Sequence, residues 1–77
     1  MKIEYPAILA PAEEGGYLVD FPDFEGEAFT EGDTLDEALS NATEVLCLVL
    51  GYRLEKGEAV PAPSHIAGPN VYRITPT

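Results

Sequence analysis

The sequence predicts a two-layer α+β domain in the order β-β-β-α-β, with one helix packed on a small sheet. Three observations predict it. Short apolar–polar alternations, each closed by Gly or Pro, fill the first thirty residues. A capped run of helical periodicity follows them. One further run of strand formers lies near the C-terminus.

Residues 2–10 form the first strand. Ile3, Tyr5, Ala7 and Leu9 point one way and Lys2, Glu4, Pro6 and Ile8 the other. Pro6 cannot donate to a ladder, so it belongs at an edge or a bulge. Residues 11–15 read as a turn, with Gly15 and Gly16 free in φ. Residues 16–21 are the second strand, with Tyr17, Val19 and Phe21 on one face and Leu18 and Asp20 on the other. Pro22 ends it, residues 22–26 are a short loop, and residues 27–30 are a third, short strand. Short turns between them favour an antiparallel meander.

The period then changes. Thr34 at an N-cap with Glu37 three residues on is a capping box, and Asp36 and Glu37 suit the positive end of a helix dipole. Leu35, Ala38, Leu39, Ala42, Val45, Leu46, Val49 and Leu50 make one apolar stripe that covers the sheet. Cys47, Leu48 and Leu54 widen the stripe beyond one sheet face, which fits either a dimer contact or cover from the C-terminal segment. Gly57 is the expected stop. Residues 58–69, with three prolines, read as an extended loop, and residues 70–75 as the last strand. A helical crossover before that strand predicts that it lies parallel to one strand of the meander, with a right-handed connection.

The chain has 77 residues, enough for one domain. A domain this small buries little surface, so self-association is a reasonable expectation. The single cysteine, Cys47, excludes an intrachain disulfide and is expected as a small core residue. No apolar run is long enough to span a bilayer. A cytoplasmic location fits.

Charge is the most informative bulk property. There are 14 acidic and 4 basic residues, a formal net charge of -10. Between Lys2 and Arg53 no Lys or Arg occurs, while acids recur from Glu4 to Glu44. Such a surface repels phosphate backbones and anionic lipids, because binding either depends on Lys and Arg. A basic protein partner is favoured, since opposite fields speed encounter and fix register.

No catalytic constellation or cofactor site is expected. One His and one Cys cannot supply a zinc site of N and S ligands. Ser64 and His65 are sequence neighbours in a loop, a poor geometry for a nucleophile and its base. Asp20, Asp23, Glu25 and Glu27 gather around a strand-loop-strand junction, where carboxylates could hold Mg²⁺ or Ca²⁺. They lack EF-hand spacing, and a solvated rim facing a basic partner explains them without a metal. Tyr5, Tyr17 and Phe21 are expected in the core. Phe24, between acids at a loop tip, reads as a binding anchor, or else as a side chain folded back over the helix.

Several motifs form an ordered set. Tyr5-Pro6 in the first strand is followed by Glu13 to Tyr17 with its Gly-Gly-Tyr. Next come Asp20-Phe21-Pro22-Asp23-Phe24 with Gly26, then the stretch from Glu31 to Leu39, then Asn41-Ala42. Gly57 and Pro61-Ala62-Pro63-Ser64 follow the helix. The set resembles the HicB family, the antitoxins of HicA–HicB toxin–antitoxin pairs. The resemblance implies a partial RNase H-like domain whose first strand is central, and with it a local bulge at Pro6. It implies a small basic HicA-type toxin as partner, an RNA-cleaving protein whose RNA surface or active site is blocked, and a dimer or tetramer of the antitoxin. Many members continue into a DNA-binding domain, whereas residues 1–77 are expected to be a single HicB-like domain without one, so operator binding is not carried over. Glu13, Glu14, Asp20, Asp23, Phe24, Glu25, Glu27 and Glu31 are the expected toxin-binding residues, with Asp23, Glu25 and Glu27 as the salt-sensitive rim. The alternatives are an oligomeric regulatory or interaction module of the same fold without a cognate toxin, and a metal-dependent nuclease.

Overall fold

Tyr5, Ala7 and Leu9 are enclosed while Ile8 and Ala10 are only half-buried, and this alternation is strand β1, Tyr5–Pro11. The computed structural model describes residues 3–76. Lys2, expected at the start of the first strand, lies outside the described residues, as do the ends, Met1 and Thr77, of the expected 1–77 domain. Strand β2, Tyr17–Asp20, turns back on β1, and β3, Phe29–Gly32, turns back on β2. A single 3-10 turn, Pro22–Phe24, joins β2 to β3. It starts at Pro22 because proline's fixed φ suits a first helical position. Helix α1, Leu35–Lys56, and strand β4, Val71–Ile74, complete the chain. The sheet order is β3-β2-β1-β4.

The helix is delimited as its sequence predicts. Thr34 Oγ1 accepts from the Glu37 N–H at 3.1 Å. Glu37 reaches back to the N–H of Asp33, one residue before the cap, at 2.7 Å. Gly57 ends the helix with φ 73°, and its N–H meets the carbonyls of the last turn. At 22 residues the helix is about 33 Å long, far longer than any four-residue strand. Only its first half covers the sheet fully: Ala38, Ala42 and Leu46 are buried against Tyr5, Ala7, Leu9, Val19 and Ile74. Beyond that point Leu48, Tyr52 and Leu54 are exposed. Cys47 faces partly away from the core and is half-buried, not enclosed as expected, and Tyr17 likewise.

Small residues at the sheet–helix contact allow close packing. A Cβ on Gly32 would lie 2.4 Å from the backbone nitrogen of Ala38. Gly32 and Ala38 therefore mark where α1 crosses β3, and the Asn41 amide adds a bond to the Glu31 carbonyl at 2.8 Å.

Three expectations need correction. The third strand begins at Phe29, not Glu27, because the 3-10 turn and Gly26, at φ 78°, occupy the residues before it. The last strand pairs only with β1, antiparallel, so the expected parallel relation holds in direction with the non-adjacent β2 and not as a ladder. The Tyr5 hydroxyl donates to the Pro61 carbonyl at 2.7 Å, and the Leu9 N–H donates to the Asn70 carbonyl at 2.8 Å. The loop thus passes the tip of the Tyr5 side chain at Pro61 and reaches Leu9 at Asn70, so β4 starts at the far end of β1 and runs back antiparallel to it. Finally, Pro6 needs no bulge although β1 is central. The register with β4 is unbroken from Tyr5 to Ile8. The Leu9 bond shows that odd residues of β1 donate toward β4, so the Pro6 nitrogen faces β2, whose ladder has already ended at Ile8. No ladder bond is lost there.

Candidate partner-binding surface

The turn between β1 and β2 is built on glycine. The Ala12 N–H donates to the Gly16 carbonyl at 3.0 Å, with Gly15 and Gly16 at φ 96° and 78°. A Cβ on Gly16 would lie 2.6 Å from the Gly32 carbonyl oxygen, so the turn can approach β3 only without one. That approach sets Glu13 and Glu14 beside Glu31 and Asp33, around an open depression of about 550 Å³ with Leu18 in its wall. Of the expected site residues, Glu13, Glu14 and Glu31 are therefore brought together. Asp20 stands apart from them on the outer face of the sheet, opposite Phe29 and Ile8 in register, and Glu25 is exposed beyond the 3-10 turn.

The rest of the expected rim is used inside the molecule. Phe24 is 1% exposed and meets Tyr5 edge to face at 4.8 Å, with the Arg53 guanidinium 5.3 Å from its ring centre. It is a core residue and is not available as a binding anchor: the 3-10 turn rotates it inward over the helix. Glu27 receives two bonds from Arg53, Nη2 at 2.6 Å and Nε at 3.1 Å. The same guanidinium donates to the Ala59 carbonyl at 2.8 Å. Asp23 accepts from the Ser64 N–H at 2.9 Å and from the Ser64 hydroxyl. Asp23 thus ties residue 64 to the 3-10 turn, while Glu27 ties the end of α1 to the segment before β3 through an exposed ion pair.

Electrostatics agree with this division. The bonds from Arg53 hold the Glu27 carboxyl below the usual carboxylate range and push the guanidinium further toward its charged form. Burial, reinforced by the nearby Asp23 charge, pushes the Tyr5 phenol up.

Asp33, Leu18 and Phe29 belong to the exposed surface but were not singled out as site residues. Leu18 and Phe29 are 52% and 65% exposed. Their signal was present: each sits next in alternation to an acid, on the face opposite the core residues. Ser64 Oγ is engaged by Asp23, and His65 is exposed. No group of three metal-ligating side chains occurs among the described residues. Among them, too, no helix is long and apolar enough to cross a membrane.

A family model described as the HicB-like antitoxin of bacterial toxin–antitoxin systems matches residues 5–71, from the first residue of β1 to the first of β4. This chain belongs to that family. The HicB-like chain is 44% identical over 65 residues to Antitoxin HicB 1 of Photorhabdus laumondii, covering 84% of itself and 41% of that protein. It is 42% identical over 62 residues to Antitoxin HicB of Escherichia coli K12, covering 80% of itself and 44% of that protein. Among solved structures it is similar to a chain of a toxin–antitoxin complex from Streptococcus pneumoniae, with a TM-score of 0.76 and 33% identity over 86% of this chain and 47% of that one. The HicB-like chain therefore spans under half the length of these relatives. The part it shares with them is the α+β unit of sheet and helix described above.

Proposed function

We propose that this chain is the toxin-binding domain of an antitoxin in a type II pair, and that it neutralises a small, basic, mRNA-cleaving toxin of the HicA type. The observation that carries the reading is family membership on a chain of net charge -10 whose cationic side chains are absent between Lys2 and Arg53. A toxin that cleaves RNA must present Lys and Arg to phosphates. An acidic protein surface competes for those same groups, so inhibition needs no chemistry of its own. The domain acts without catalysis, in the cytoplasm, and leaves nucleic acid to its partner. Its exposed helix end, Leu48, Tyr52 and Leu54, favours self-association into a dimer or tetramer.

The test is an RNA-cleavage assay with a purified HicA-type toxin. Cleavage should fall to background once this chain is added at stoichiometric ratio. Undiminished cleavage at a large molar excess would reject the proposal.

A further inference from the structure

An antiparallel sheet with one face in water ordinarily alternates apolar residues inward with polar residues outward. On this sheet the outward half of the pattern fails. Helix α1 covers one face, and the register places Ile8, Ala10, Leu18, Phe29 and Val71 on the other. Phe29, Asp20, Ile8 and Val71 fall in one row across all four strands. Leu18 and Phe29 keep more than half of their surface in solvent. Pro6, which faces the same side beside β4, is fully buried, so the uncovered part of the face is its β2–β3 half around Leu18 and Phe29.

We infer that this uncovered sheet face is the surface on which the basic toxin docks. The inference rests on the antitoxin reading above and adds the location of the contact. Charge selects the occupant. Asp20 and Glu31 lie within the apolar band, and Glu13 and Glu14 project at its hairpin end. The one cation in the described part of this face, Arg73, sits on the far edge strand and donates to the Ser64 carbonyl. An apolar centre with an acidic border complements an apolar patch framed by Lys and Arg. A second copy of this chain fits poorly, because stacking the two faces would bring the Asp20 and Glu31 carboxylates of both copies together. The other exposed apolar surface, at the end of α1, is a weaker match: Lys56 lies over the Tyr52 ring at 5.5 Å, placing a cation on it. A toxin seated on the sheet would have its basic groups turned away from RNA.

The test uses a HicA-type toxin, made catalytically inactive, and two double variants of the full chain that carry the same change of charge. One is Leu18→Arg with Phe29→Arg on the sheet; the other is Leu48→Arg with Leu54→Arg on the helix. All four positions are exposed. Circular dichroism confirms that each variant folds, and Leu18→Ser with Phe29→Ser replaces the sheet variant if it does not. The sheet variant should raise the dissociation constant at least about thirtyfold, as loss of an interface anchor does, and the helix variant by no more than about threefold. Equal affinity of the sheet variant and the wild type would overturn the inference while leaving the antitoxin reading intact. So would a sheet variant that loses only self-association. Failure of the wild type itself to bind would overturn both.

Discussion

Two glycine-to-alanine substitutions should have opposite effects. At Gly32 the added methyl would sit 2.4 Å from the Ala38 nitrogen, 2.6 Å from the Ala38 Cα and 2.9 Å from the Glu37 carbonyl carbon. Ordinary contact begins near 3.4 Å, so the first turn of α1 must retreat by about 1 Å. All three atoms are backbone, so no side chain can swing aside. Overpacking of this kind costs about 1–3 kcal/mol, and rigid neighbours put Gly32→Ala near the top of that range, at roughly 3 kcal/mol. For a domain of this size that is a fall of roughly 12–24 °C in Tm. At Gly51, inside the exposed stretch of the same helix, a Cβ meets nothing within 4 Å. Gly51→Ala should therefore stabilise by roughly 0.5–1 kcal/mol, through helix propensity and a less flexible unfolded chain. Urea denaturation followed by the helical circular-dichroism signal reads both. A Gly32→Ala protein within about 0.5 kcal/mol of the wild type would refute the packing derived for β3 and α1.

The remaining predictions concern the core and its fasteners. Phe24→Ala removes a fully enclosed ring and should cost about 3–5 kcal/mol, much of the stability of a domain this small, seen as a large fall in the urea midpoint. Tyr5→Phe should cost about 1 kcal/mol by loss of the bond to Pro61. Because the folded Tyr5 phenol is raised above its ordinary 10.0, its contribution is complete below that pH and is lost as pH rises through the folded value. Stability measured against pH should accordingly fall less steeply above pH 10 in Tyr5→Phe than in the wild type, and parallel curves would count against a raised phenol. Glu27 has the opposite sign. Its carboxyl is held below the ordinary 4.5, so its contribution is present above that pH and is lost as pH falls through the folded value. Arg53→Met should flatten that acid limb, and an unchanged acid slope would show that the Arg53–Glu27 pair does not persist in solution.

Local features were legible in the sequence and long-range ones were not. Tyr5, Ala7 and Leu9 announce β1 by period alone, and Thr34, Glu37 and Gly57 mark both ends of α1, because caps and alternation are read from near neighbours. The start of β3 was misplaced because the run from Glu27 to Glu31 has no clean alternation to set its register. The direction of β4 depends on a proline-rich stretch without periodicity, whose path is set by the bond that Tyr5 donates to Pro61 and the one that Asp23 accepts from Ser64. The candidate site suffered in the same way. Asp23 and Glu27 look like free carboxylates until Ser64, 41 residues away, and Arg53, 26 residues away, are seen to hold them. Phe24, flanked by acids, leaves both a binding anchor and a side chain folded over the helix open in the sequence, and the three-residue turn decides for the second by pointing it inward. Glu13, Glu14 and Glu31 converge as a surface because two glycines let the hairpin close on β3, and Leu18 and Phe29 complete that surface as the apolar side of alternations read only for their acids.

The central claim is that an acidic HicB-like domain binds a basic toxin directly. Calorimetric titration of the purified chain with a purified HicA-type toxin, at low and at high salt, tests it most directly. Tight, saturable binding that weakens as salt rises is the predicted result, since the contact pairs carboxylates with Lys and Arg. No heat of binding at either salt concentration, with both proteins folded, would contradict it.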